Sequence, residues 1–155
     1  MVVLAGKAVH AKKIEVPASR TKDRAYVQTT LYREASSYLD EVGPTHVFIE
    51  EPVVAGARNL RSSLLIAQTC GSMLCVAGME RVVRLVPVSS WKKATVGIGS
   101  ADKDAVRRYI DTFHPQVAKV CGFDQDLYDA ACVALYGQGL LRRVSQLSDG
   151  FQDDP

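Results

Sequence analysis

The sequence predicts an α/β fold, and three observations carry that prediction. Two short apolar runs, His46-Val47-Phe48-Ile49 and Val82 to Val86, have the length and character of buried strands. The stretches around them carry apolar residues at helical spacing. The resulting order, β-β-α-β-α-β-α-α, alternates strands with helices and favours a sheet covered by helices on both faces. No internal repeat or linker divides the 155 residues, a length that buries one substantial core.

Met1–Val16 reads as a hairpin. Val2-Val3-Leu4 enters a turn at Gly6-Lys7, Ala8 to Val16 returns with alternating character, and Pro17 ends it. From Arg24 to Val42 the apolar residues Val27, Leu31, Ala35 and Leu39 make one helical stripe, stopped by Gly43-Pro44. The run at 46–49 ends abruptly in Glu50-Glu51-Pro52. Asn59 is suited to cap a helix reaching Gly78, with Leu60, Leu64, Ala67 and Gly71 along one side, where small residues allow close packing against a neighbour. After the strand at 82–86 come a brief turn or helix at Ser90–Lys93, a glycine loop at 96–100 and a helix from Ala101 to Phe113, broken by His114-Pro115. A last helix starts near Asp124–Asp126 and ends around Gly137 or Arg143. Residues 1–144 are expected to form one domain, and the acidic segment 145–155 a disordered tail.

A 47% hydrophobic, 23% charged composition is ordinary for a soluble α/β protein. No unbroken apolar run reaches the roughly 18 residues of a membrane span, and the N-terminal apolar stretch is short for a signal peptide. A cytoplasmic location with no membrane partner is expected. The net charge of +2 means that any nucleic-acid surface must be focused on one face. Cys70, Cys75, Cys121 and Cys132 form no CxxC pair, and His10, His46 and His114 are scattered, so a zinc site is not expected.

Three features could carry chemistry. Glu50 ends a buried strand, at the sheet edge where α/β proteins bind ligands, although on its own it also reads as a solvated loop start. Asp126 and Asp129, three apart, share one helical face. Helix-dipole preference accounts for Asp124 and Asp126 better than for Asp129, which stands among apolar and small residues. Together Glu50, Asp126 and Asp129 would make an all-oxygen set suited to Mg²⁺ or Mn²⁺, although such phosphodiester-cleaving sites usually use about four carboxylates. The third feature is Val96-Gly97-Ile98-Gly99-Ser100-Ala101-Asp102-Lys103, a glycine loop before a helix. It lacks the Walker spacing and reads locally as a turn with a Ser100 cap. Basic residues recur beside the acidic ones: Arg58 and Arg61, Lys92 and Lys93, Lys103, Arg107 and Arg108. They are candidates to hold phosphates, or simply solvated faces.

The segment 96–103 resembles the VGxGxAxK segment of the RuvC family of Holliday junction resolvases. The strand end Phe48-Ile49-Glu50 and the pair in Asp126-Leu127-Tyr128-Asp129-Ala130-Ala131 occur in that family's order and separation, from about Met1 to Tyr136. The resemblance implies an RNase H-like fold, a homodimer, and Mg²⁺-dependent symmetrical nicking of four-way or otherwise branched DNA. It further implies Glu50, Asp126 and Asp129 as metal-binding catalytic carboxylates, Lys103 near the scissile phosphate, and Lys92 as a second basic residue; Lys93, Arg58, Arg61 and Arg107 are the further DNA-binding candidates. The Glu-Glu-Pro sequence and short length resemble phage-borne members, which would act in the host cytoplasm.

That family opens with a central strand bearing an Asp, and Met1–Leu4 matches the strand after it. Glu15 comes too late to substitute. A missing strand would leave unpaired backbone groups on both neighbours. An upstream start is the expected remedy; the alternatives are a partner or rearrangement filling the gap, or a catalytically inactive junction-binding module. A nucleotide-binding protein using the glycine loop is a third functional class.

Overall fold

The computed structural model describes residues 1–5, 8–53, 60–78 and 80–149. Strands β1 (Val2–Ala5) and β2 (Ala8–Ala11) pair antiparallel, with Val2 opposite Ala11 and Ala5 opposite Ala8. The expected turn at Gly6-Lys7 lies outside the described residues. β2 stops at Ala11 rather than Val16. Just past it, the Lys12 N–H donates to Met1 O at 3.0 Å.

Helix α1 (Arg24–Val42) starts at Asp23, whose carboxylate accepts from the Tyr26 N–H, and ends at Gly43, whose φ of 62° is the left-handed value that glycine adopts without strain. Strand β3 (His46–Glu50) pairs parallel with β4 (Val82–Val86), Glu50 lying opposite Val86. Helix α2 (Leu60–Gly78) makes the crossover between them; its expected cap, Asn59, lies outside the described residues. α2 is long and apolar enough to cross a membrane by length and composition, yet it packs along α1, β3 and β4.

The second half of the chain is more helical than the sequence suggests. Ser90–Lys93 belongs to a full helix, α3 (Val88–Thr95). α4 (Lys103–Phe113) begins after Asp102, not at Ala101, and Asp102 rather than Ser100 caps it, its carboxylate accepting from the Ala105 N–H at 2.8 Å. His114-Pro115 ends α4 but also starts α5 (Pro115–Cys121), because a proline in the first turn sacrifices no helical hydrogen bond. α6 (Gln125–Asp149) continues into the segment expected to be an irregular tail.

Helices cover both faces, as expected for an α/β protein, and strand side chains alternate between two cores. Phe48, Val86, Val2 and Leu4 face Trp91, Val106, Ile110, Val117 and Cys132 on one side; Val47 and Val83 face Ala35, Leu39, Val76 and Ala77 on the other. All four cysteines are free thiols; Cys70, Cys121 and Cys132 are buried and Cys75 is exposed.

The sheet itself is split. Among the described residues, β1 pairs with β2 alone and β3 with β4 alone. A cleft of about 700 Å³ lies between β1 and β3, with α6 packed on both strands. Where α6 crosses β3, Gly137 lies so close to Phe48 that a Cβ would overlap the ring. No residue of β1 or β3 is fully buried, whereas a strand interior to such a sheet is covered on both faces.

Candidate active site

The rim of this cleft gathers the sequence-predicted carboxylates. β3 delivers Glu50 at its carboxyl end, and the first turns of α6 deliver Asp126 and Asp129; all three line the cleft. Asp124 fixes that end of α6, its Oδ1 accepting from the Asp126 and Leu127 N–H groups at 3.0 and 3.2 Å.

Glu50 and Asp129 are electrostatically linked. Crowding by protein atoms is the main reason that Glu50 holds its proton above the ordinary carboxylate range; the Asp129 charge adds to this, while Trp91 and Lys92 oppose it. Asp129 is raised for the same leading reason, with Asp126 adding and Gln125, Lys92 and Lys103 opposing. Glu50 is nevertheless open to solvent over much of its surface, so the effect is moderated at the rim. Its position is set from below: the Nε1–H of Trp91, a side chain 1% exposed, donates to Glu50 Oε2 at 3.0 Å. Gln125 Nε2 donates to Asp129 Oδ1 at 3.2 Å.

Asp126 stands apart. Its side chain is 77% exposed and lies 3.8 Å from the Lys13 ammonium, which is bonded to Asp124 at 2.5 Å and is 3.6 Å from Glu15. Among the described residues no group of three or more His, Cys, Asp or Glu side chains is close enough to hold a metal ion. The donor chemistry of Glu50 and Asp129 suits a hard divalent cation, but the third carboxylate faces a lysine.

The predicted basic residues divide. Lys92 Nζ donates to Ala101 O at 2.6 Å, tying α3 to the loop before α4, and its charge acts on both Glu50 and Asp129. Lys103, exposed at the start of α4, acts on Asp129. Lys93 and Arg61 are exposed on α3 and α2. Arg107 is engaged elsewhere, 3.5 Å from Asp111 and over the rings of Phe123 and Tyr128. Arg58 lies outside the described residues. Trp91, Gln125 and Lys13 were not anticipated as site residues. The chain's single tryptophan beside two lysines was the one available signal.

Residues 3–136 match the family model for crossover junction endodeoxyribonuclease RuvC. The chain belongs to the RuvC family. No curated protein matches it. Among solved structures it is similar to that of Thermus thermophilus RuvC, at 19% identity and a TM-score of 0.65, covering 92% of this chain and 86% of that one. At that identity the likeness establishes the fold, the RNase H-like arrangement that the motifs implied. As a RuvC-family member the chain belongs among nucleases that resolve Holliday junctions.

Proposed function

We propose that this protein is a structure-specific endonuclease that hydrolyses phosphodiester bonds at four-way DNA junctions, using Mg²⁺ or Mn²⁺. The observation that supports the reading is that Glu50, Asp126 and Asp129 all line one cleft, with Glu50 in the field of Asp129. Glu50 and Asp129 would hold the cation, with Asp126 joining them once released from Lys13. A bound cation supplies charge neutralisation at the scissile phosphate. The Trp91 indole orients Glu50, and the Gln125 amide orients Asp129. Lys103 is free to approach a phosphate oxygen and offset its developing charge. Lys92, fixed on the Ala101 carbonyl, supports the same field. Lys93 and Arg61 lie on exposed surfaces that a DNA arm could reach.

The exposed side of α2 supports a homodimer. Leu60, Leu64, Ala67, Gly71 and Cys75 form one solvent-facing stripe, the side from which the sequence anticipated a packed neighbour. A two-fold axis would bring two such helices together and set two sites on opposite arms of one junction.

Labelled four-way junctions incubated with the protein and Mg²⁺ should be nicked in pairs, and Glu50→Gln and Asp129→Asn should each abolish cutting while leaving binding intact. Cutting retained by both variants would remove these residues from the chemistry. The turning of Asp126 toward Lys13 favours a second reading, a junction-binding module without cleavage; salt-sensitive binding with no nicking in either metal would select it.

A further inference from the structure

A rim of carboxylates repels phosphates, so a polyanion seated there has to be gripped by cations set to either side of it. On the side of α3 and α4 stand Lys92, Lys93 and Lys103. On the other face of the sheet the chain carries a denser group. Residues 12–24 hold Lys12, Lys13, Arg20, Lys22 and Arg24 against Glu15 and Asp23, a surplus of three positive charges where the whole chain has +2.

This segment starts at the candidate site and climbs away from it. Lys13 is bonded to Asp124 and lies 3.8 Å from Asp126, at the start of α6. Next to it, Lys12 Nζ donates to Glu34 Oε2 at 3.0 Å, part-way along α1. Gln28 meets Thr69 and Ser72, and Leu39 shares a core with Val76 and Ala77, so α1 and α2 run in the same direction. As the crossover between two parallel strands, α2 runs against them. Both helices therefore begin at the end of the sheet where β3 delivers Glu50. Arg24 stands about 15 Å along α1 from Glu34, at 1.5 Å per residue. The tip of the segment thus projects about that far beyond the level at which Lys12 and Lys13 are anchored.

The tip is shaped to present charge. It contains a single 3-10 turn, Ala18–Arg20. Arg20 donates to Asp23 Oδ2 at 2.9 Å and lies over the Tyr26 ring, 4.2 Å from its centre. Lys22 and Arg24 are exposed, and among the described residues their side chains make no ion pair or hydrogen bond. Arg61, in the first turn of α2, is exposed at the same end. We propose that Lys22 and Arg24, with Arg61 beside them, form a second contact surface for the DNA backbone, across the rim from Lys92 and Lys103. It grips a duplex arm at phosphates up to about four base pairs from the reacting one, at 3.4 Å per step. The inference rests on the DNA reading given above but not on cleavage.

Binding of a labelled four-way junction is measured by fluorescence anisotropy over a series of salt concentrations, without divalent ions so that no cutting intervenes. Each phosphate contact contributes about 0.9 to the slope of log affinity against log salt. The double variant Lys22→Ala, Arg24→Ala should lower that slope by about two. The double variant Arg142→Ala, Arg143→Ala removes the same charge from exposed positions on α6, about 24 Å from Asp126 along the helix. It should change the slope by less than half as much. An unchanged slope in the Lys22 and Arg24 variant would overturn the proposal and leave the carboxylate chemistry standing. So would an equal fall in the two double variants, which would mark a response to net charge alone. Junction binding by the parent chain that does not depend on salt would remove the DNA reading itself, and this surface with it.

Discussion

Trp91 and Glu50 are joined by a 3.0 Å hydrogen bond that runs from the fully buried core to the rim of the cleft. The indole is locked by its neighbours in the core, so the carboxylate it holds inherits that rigidity. Trp91→Phe keeps an aromatic ring but deletes the donor and part of the volume. The expected cost is about 1 to 3 kcal/mol of stability, read by urea denaturation. Junction nicking should fall more steeply than junction binding, because the loss acts through the position of Glu50.

The raised proton affinities of Glu50 and Asp129 have a definite consequence for stability. Between the ordinary carboxylate range and the raised one, the folded chain holds protons that the unfolded chain has released, so stability falls as pH rises through that window. Above it, both ionised carboxylates burden the fold. Asp129→Asn should therefore raise the thermal midpoint near pH 7 in the absence of divalent ions, with the gain vanishing below pH ~4. A midpoint lowered equally at both pH values would contradict the assigned cost of burying the charge.

Gly137 permits the close crossing of α6 over Phe48. Gly137→Ala would improve helix propensity but forces the ring to move, and the overlap should win, costing about 1 to 3 kcal/mol. The double variant with Phe48→Leu should recover part of that loss. Additive losses in the double-mutant cycle would refute the contact.

Leu64 lies on the exposed stripe of α2 and is 54% exposed. Leu64→Glu should leave the thermal midpoint of a dilute sample nearly unchanged while converting a dimer to a monomer, read by light scattering. A parent chain that is monomeric across the accessible concentration range would exclude this face as a self-interface.

How much was legible depended on whether the deciding force was local. β3, β4 and α1 were legible because their apolar patterns and caps are encoded within each segment. The hairpin's length was not, because the alternating pattern runs on to Val16, past the last paired residue, Ala11. α5 was missed because proline reads as a break from one side and as a helix start from the other. The three carboxylates were singled out from strand-end position and helical spacing; all of them line the cleft, but Asp126 stands apart from Glu50 and Asp129. That Asp126 would turn toward Lys13 was not visible, since more than a hundred residues of sequence separate the two. The exposed side of α2 looked the same in the sequence as its buried side, both being apolar.

Asp102 has a last implication. By seating its own carboxylate on the amino end of α4, the chain has already satisfied the dipole that would otherwise draw a phosphate there. At that end of α4, attraction to a polyanion would be left to side-chain charges such as Lys103, whose grip would be driven by counterion release and weaken steeply with ionic strength. Such contacts do not distinguish one base pair from another.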